Sequence, residues 1–250
     1  MKLVWTFACL FGLATTALAQ QILVAAAADL NQVMPRIAER FERETGTKVK
    51  LSFGSSGNVF AQLKNGAPFD IFFSADMEYP TRLQSAGLGQ PGSLHEYAVG
   101  KIALWVPDNS PLNVSGGLVV LNSPHVRKIA IANPNHAPYG RAAVAALQHE
   151  RLYEKVKDKL VLGENISQTF ELVNSGNADI GIVALSLVMA PKMKGIGHYA
   201  LVSAGDYSPI RQGAIILKSS QNKAAAERFL TFFLRPEIRD LMKQYGFEAP

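Results

Sequence analysis

Short runs of apolar residues alternate along the chain with segments of helical periodicity. The runs cover residues 22–25, 49–53, 71–73, 102–106, 129–132, 180–183 and 214–217. Their length and their branched side chains are typical of buried strands. Between the first two runs, Val33, Ile37 and Phe41 recur at every fourth position, which is the spacing of one helix face. Alternating strands and helices predict parallel sheet covered by helices on both faces, so the predicted fold class is α/β.

A repeated turn sequence indicates two lobes of similar construction. The segments Asn65-Gly66-Ala67-Pro68-Phe69-Asp70-Ile71 and Ser175-Gly176-Asn177-Ala178-Asp179-Ile180 each combine a helix end, a glycine turn and an aspartate before an apolar strand. Because no linker rich in proline, glycine or serine divides the chain, we expect strands to join the lobes near residues 97–101 and 212–214. We predict a first lobe of residues 20–99 plus 214–250 and a second lobe of residues 100–213.

The first 19 residues have the layout of a cleavable secretory signal. Lys2 is followed by an uncharged apolar stretch and then by Ala17-Leu18-Ala19. A retained anchor is the alternative, but the apolar stretch is short for a bilayer. Cys9, the single cysteine, lies in this segment, so the mature chain needs no disulfide. We therefore expect a periplasmic protein.

Composition excludes several classes of function. The formal net charge is +5, and the basic residues are scattered, so we expect no nucleic-acid partner. The five histidines lack the spacing of metal ligands, and no hydrolase elbow, phosphate loop or dinucleotide motif is present. We expect no cofactor and no enzyme activity. The alternative is a secreted serine hydrolase that uses Ser56.

Four strand-to-helix junctions are rich in small residues, and they are the candidate binding elements. They are residues 26–29, 54–57, 137–140 and 164–167. The first N–H groups of a helix have no acceptors within it, and this end of the helix carries a partial positive charge. A bound anion accepts the hydrogen bonds and is attracted by the charge. These junctions contain almost no basic residues, which suits a small, fully ionised oxyanion that must also be released.

Individual side chains at the junctions leave alternatives open. The hydroxyl of Ser56 either donates to an oxyanion or caps the helix. We expect Asp29 to cap its helix and to leave its backbone N–H for the ligand. The Tyr139 hydroxyl either points into the cleft or packs across its own loop. We interpret Arg141 as a residue on the helix surface.

The chain resembles the periplasmic molybdate-binding proteins of ABC uptake systems over essentially its whole mature length. The similar segments are Val24-Ala25-Ala26-Ala27-Ala28-Asp29-Leu30, Phe53-Gly54-Ser55-Ser56-Gly57, the stretch from Asn65 to Asp76, Asn133-Pro134 through Gly140, Gly181-Ile182-Val183-Ala184 and Tyr245-Gly246-Phe247. The resemblance implies a class II periplasmic-binding-protein fold, with two α/β lobes that close on a dehydrated oxyanion in the cleft between them. It implies ligand contacts from Ala28, Asp29, Ser56, Tyr139 and Ile166, with molybdenum present solely as the oxyanion and without direct side-chain ligands.

Two departures from the family pattern affect the expected donors. Ala184 stands where some members have a binding tyrosine, so we expect Tyr139 to supply the hydroxyl. Asp29 stands where members often have serine or asparagine, and an ionised carboxylate cannot donate. The resemblance implies a monomer that captures molybdate, and tungstate as well, for an ABC transporter permease. The alternative ligands are sulfate, thiosulfate and phosphate, of which phosphate carries a proton that Asp29 would accept.

Overall fold

A computed structural model describes residues 20–250, which form ten strands and nine α-helices. The strands are β1 (Gln21–Ala27), β2 (Lys48–Gly54), β3 (Ile71–Ser74), β4 (His95–Gly100), β5 (Ile102–Pro107), β6 (Ile129–Ala132), β7 (Leu160–Gly163), β8 (Ile180–Ala184), β9 (Gly197–Leu201) and β10 (Ile210–Ile216). The helices are α1 (Met34–Thr45), α2 (Ser56–Lys64), α3 (Glu78–Ser85), α4 (Pro138–His149), α5 (Tyr153–Val156), α6 (Ile166–Asn174), α7 (Leu185–Val188), α8 (Lys223–Phe233) and α9 (Pro236–Gln244). Within residues 20–250, no helix is long and apolar enough to cross a membrane. The predicted signal segment 1–19, with Cys9, lies outside the described residues.

The strands form two five-stranded sheets, one in each lobe, which confirms the α/β class. The sheet orders are β2-β1-β3-β10-β4 and β7-β6-β8-β5-β9. In each sheet the first three strands are parallel, as predicted, but the last two pair antiparallel. The prediction of parallel sheet did not include β10 and β5, which enter their sheets from the other lobe and run against the strands they join.

The chain crosses between the sheets twice. After β4 ends at Gly100, β5 begins at Ile102 in the other sheet. The return occurs between the end of β9 at Leu201 and the start of β10 at Ile210, shortly ahead of the predicted crossing near residues 212–214. Since β4 pairs with β10, the outgoing and returning connections lie side by side and form the waist of the molecule.

The repeated turn sequence performs the same task in both sheets. Gly66 and Gly176 follow helices with φ values of 84° and 74°, a left-handed conformation that favours glycine. The aspartate of each repeat then accepts backbone N–H groups that lead into a neighbouring strand. Asp70 accepts from Leu23 at 2.7 Å, and Asp179 accepts from Lys128 at 2.8 Å. Each lobe thus uses a buried or strand-edge carboxylate to align its central strands.

Aromatic packing anchors the first lobe beneath the waist. Phe73 of β3 contacts Tyr97 of β4 with ring centroids 5.5 Å apart, and it contacts Phe233 of α8 at 4.5 Å. Phe229, also on α8, packs edge-on against Phe41 of α1 at 5.0 Å. These side chains are all buried, and each contributes about 1.5–3 kcal/mol through burial. The strand ends that carry the candidate site therefore rest on a rigid base.

Candidate functional site

Each of the four junctions predicted from the sequence begins a helix, as expected. Ser56 is the first residue of α2, Ile166 is the first of α6, and Tyr139 is the second of α4. The first junction differs in form, because Ala28–Leu30 is a single 3-10 turn and α1 begins only at Met34. The first N–H groups of these elements have no acceptor within their own helix.

Hydrogen bonds across the cleft bring these helix starts together. The Gly57 N–H of α2 donates to the backbone oxygen of His136, just ahead of α4, at 2.9 Å. The Ser55 hydroxyl lies 2.8 Å from His136 Nδ1. The Asn31 amide, beside the 3-10 turn, donates to Ser167 Oγ of α6 at 2.5 Å. The first lobe thus contacts the second at both of its helix starts, and the lobes are closed.

The structure separates the roles of the two serines in the second junction. Ser55 is the N-cap of α2, since its hydroxyl accepts the Asn58 N–H. Ser56 is buried, and its hydroxyl oxygen accepts the N–H of Ala75 at 2.9 Å. Because that contact uses an acceptor position, the proton of the Ser56 hydroxyl is available for donation. The capping alternative for Ser56 is therefore wrong, and its hydroxyl can serve a ligand.

Asp29 does not cap its helix, contrary to the prediction. Its side chain is completely buried, and Oδ2 accepts hydrogen bonds from the Tyr139 hydroxyl at 2.9 Å and the Gln212 amide at 2.6 Å. Its backbone oxygen accepts the Ser186 hydroxyl at 2.8 Å. Burial raises the pKa of the carboxyl to about 6, and the hydrogen bonds from Gln212 and Tyr139 offset part of that rise. The carboxyl turns inward because it holds both lobes and the waist together.

Tyr139 supplies its hydroxyl to Asp29, although the sequence alternatives placed it in the cleft or across its own loop. The hydroxyl also accepts the Gln212 amide at 2.9 Å. Burial is the main cause that raises the Tyr139 pKa well above its ordinary value, and the nearby Asp29 carboxyl adds to it. The hydroxyl therefore stays protonated. The group that Tyr139 has left for a ligand is its backbone N–H, the second of α4.

Gln212 was missed in the sequence. Its amide oxygen accepts the Tyr97 hydroxyl at 2.7 Å, and this contact turns the amide nitrogen toward Asp29. The sequence feature that could have revealed Gln212 is a single amide side chain just before an apolar run. It stands at a position where the strands were expected to cross between the lobes. A polar side chain buried in a strand needs hydrogen-bond partners, and the Gln212 amide has partners from three elements.

Arg141 lies partly exposed on α4, and it also contacts the other lobe. Its side chain is 38% exposed, and Nη2 donates to Asp76 of the other lobe at 2.5 Å. Arg141 therefore joins the lobes beside the candidate site, and its charge is already matched by a carboxylate. Ala28 and Ile166 are 2% and 3% exposed, and they offer only backbone groups at their helix starts. The site consequently consists of neutral donors and helix ends, an arrangement that suits a small anion.

The serine hydrolase alternative finds no support in the geometry. Within residues 20–250, no histidine side chain is hydrogen-bonded to Ser56, and His136 contacts Ser55 instead. The Ser55 oxygen already caps α2. A hydrolytic serine needs a general base within hydrogen-bond reach, which the described residues do not give Ser56.

Comparison with known proteins agrees with this arrangement. Residues 22–248 match the family model for bacterial extracellular solute-binding proteins. The molybdate-binding protein ModA of Rhodobacter capsulatus is 38% identical over 96% of this chain and 93% of its own length. The ModA protein of Azotobacter vinelandii is 39% identical, over 94% of this chain and 92% of its own length.

The chain belongs to the extracellular solute-binding family. The solved periplasmic molybdate-binding protein of Azotobacter vinelandii superposes with a TM-score of 0.87 at 37% identity, and the match covers 92% of this chain and 99% of that one. The two-lobed periplasmic-binding fold expected from the resemblance is therefore confirmed. A solute-binding protein of this family works outside the cytoplasmic membrane and serves a membrane transporter.

Proposed function

We propose that this solute-binding protein captures molybdate, and tungstate as well, between its lobes and delivers it to an ABC transporter permease in the inner membrane. The observation that carries the proposal is the meeting of four helix starts from two lobes, where the nearby Arg141, within the described part of the chain, is already paired with Asp76. The names of the relatives at 38–39% identity support molybdate as the oxyanion.

We assign the ligand contacts residue by residue. Ser56 donates its hydroxyl and its backbone N–H, and Ala28, Asp29, Tyr139 and Ile166 donate backbone N–H groups. Each donor left unpaired by a poorly fitting ligand costs about 1–3 kcal/mol. Helix ends held by rigid sheets set the size of the cavity, so sulfate, with shorter bonds, should leave donors unpaired and bind more weakly than molybdate.

The remaining features belong to the same proposal. Residues 1–19 are cleaved as a secretory signal, and the mature protein is a periplasmic monomer without a cofactor or catalytic activity. Residues 20–99 plus 214–250 form one lobe and residues 100–213 the other, with the stretch 210–213 acting as the returning connection at the waist. The lobes open by rigid-body rotation about that waist.

Isothermal titration of the mature chain with molybdate, tungstate, sulfate and phosphate tests the proposal. We expect binding of one molybdate per chain, with sulfate and phosphate much weaker. The Ser56→Ala variant should bind molybdate about 5- to 150-fold more weakly, since one buried donor is lost. The exposed Ser85→Ala variant is the matched control and should bind as wild type does. If sulfate bound as tightly as molybdate, the assignment of molybdate as the ligand would be contradicted. If no oxyanion bound, the assignment of the protein as an oxyanion-binding protein would be contradicted.

A further inference from the structure

The two oxygens of the Asp29 carboxyl are satisfied very differently. Oδ2 accepts two hydrogen bonds, from Tyr139 and Gln212. Oδ1 is buried and has no hydrogen-bond partner among residues 20–250. Both oxygens of an ionised carboxylate are strong hydrogen-bond acceptors, and burying one of them without a donor costs free energy. A neutral carboxyl has one oxygen that accepts and one that carries a proton, and this asymmetry matches the two environments.

Among residues 20–250, no cation lies beside Asp29 that would hold it ionised. The titratable groups that face it are the hydroxyls of Tyr139 on α4 and Tyr97 on β4. The other elements packed against the 3-10 turn contribute the neutral Ser186 of α7 and charged residues that are exposed, namely Glu171 of α6 and Lys48 and Lys50 of β2. Arg141 of α4 is paired with Asp76.

Burial therefore dominates the Asp29 pKa, which rises to about 6 in this closed arrangement. The largest partial offsets are the hydrogen bonds from Gln212 and Tyr139, and no offset comes from a positive charge. A doubly charged anion beside the carboxyl would disfavour its ionised form further. The burial, the unpartnered Oδ1 and the charge of the anion therefore all favour the neutral carboxyl in the closed form.

Building on the proposed function, we propose that Asp29 is neutral when the lobes close on a dianion, with its proton on Oδ1, and that this hydroxyl donates a hydrogen bond to the bound oxyanion. Closure then takes one proton from solution to form the O–H bond, and no bond of the ligand breaks. Tyr139 and Gln212 hold Oδ2 and so determine which oxygen receives the proton. Asp29 thereby supplies from its side chain the donor that an ionised carboxylate lacks.

Titration calorimetry of the mature wild-type chain with molybdate, in buffers of different ionisation enthalpy at about pH 7.5, counts the protons. We expect proton uptake by the wild-type chain when it binds molybdate, and affinity that falls as the pH rises. Binding without proton uptake would overturn the inference and leave the proposed function intact. No binding in any buffer would overturn the proposed function and the inference with it.

The Asp29→Asn variant identifies the group that takes the proton. Its amide oxygen can still accept from Tyr139 and Gln212, and its NH₂ group can donate to the anion as the neutral carboxyl would. We expect Asp29→Asn to bind molybdate without proton uptake and with affinity independent of pH. Undiminished uptake in this variant would place the proton elsewhere and overturn the inference.

A matched control removes a carboxylate far from the cleft. Asp108 is exposed and pairs with His198 at the edge of the second sheet, so Asp108→Asn should keep the wild-type proton count. Circular dichroism verifies that both variants are folded. If Asp29→Asn fails to fold, the proton count and the pH profile of the wild-type chain still decide, because a count of zero contradicts the inference by itself.

Discussion

A methyl group at Gly57 should prevent the lobes from closing fully. An ideal Cβ built there lies 2.6 Å from the Tyr79 hydroxyl of the same lobe, and 2.8 Å from both the backbone oxygen and the Cβ of His136, whereas ordinary contact begins at 3.4 Å. The Tyr79 hydroxyl is the end of a side chain, but the two His136 atoms belong to the other lobe and cannot rotate away. Gly57→Ala should therefore keep the lobes apart by about 0.6 Å at this point, since close atoms repel steeply.

The cost follows from the contacts that the added methyl group breaks. The Gly57 N–H donates to His136 at 2.9 Å, and the Ser55 hydroxyl lies 2.8 Å from the imidazole of His136. Each hydrogen bond contributes about 1 kcal/mol, so the closed form should lose about 2 kcal/mol relative to the open form. Because the ligand binds the closed form, the Kd for molybdate should rise by about 30-fold.

Titration calorimetry measures this change, and Gly116→Ala provides the control. A Cβ at Gly116 would meet nothing within 4 Å, so this variant makes the same substitution without the collision. Thermal unfolding of the ligand-free Gly57→Ala protein measures separately the cost of displacing the Tyr79 hydroxyl, which opening of the lobes does not relieve. A Kd for Gly57→Ala within about twofold of wild type would refute the reasoning, because a surface substitution without consequence stays within that range.

Two further predictions concern the stability of the ligand-free protein. Asp70→Ala should cost about 2–4 kcal/mol in urea unfolding, because it removes the acceptor of the Leu23 N–H and the buried Ser220 hydroxyl. Phe229→Ala should cost about 3–5 kcal/mol in the same assay, since it empties the centre of the aromatic cluster.

Local features of the site could be predicted from the sequence because they depend on neighbouring residues. The small residues and glycines of 54–57 and 137–140 follow apolar strands, and this order by itself predicts helix starts with free N–H groups. The left-handed turns at Gly66 and Gly176 were predicted for the same reason. A helix start or a glycine turn is encoded within about five residues, so the pattern along the chain is sufficient.

The tertiary structure alone decided which side chains meet across the cleft. Asp29 is separated from Tyr139 by 110 residues and from Gln212 by 183, and nothing in the local sequence distinguishes this carboxyl from a helix cap. The antiparallel entry of β5 and β10 was also missed, because strand direction depends on the path between lobes and not on hydrophobic periodicity. The sequence thus determined where the donors are. Their partners, and the burial that sets the charge of Asp29, arise only when distant elements pack together.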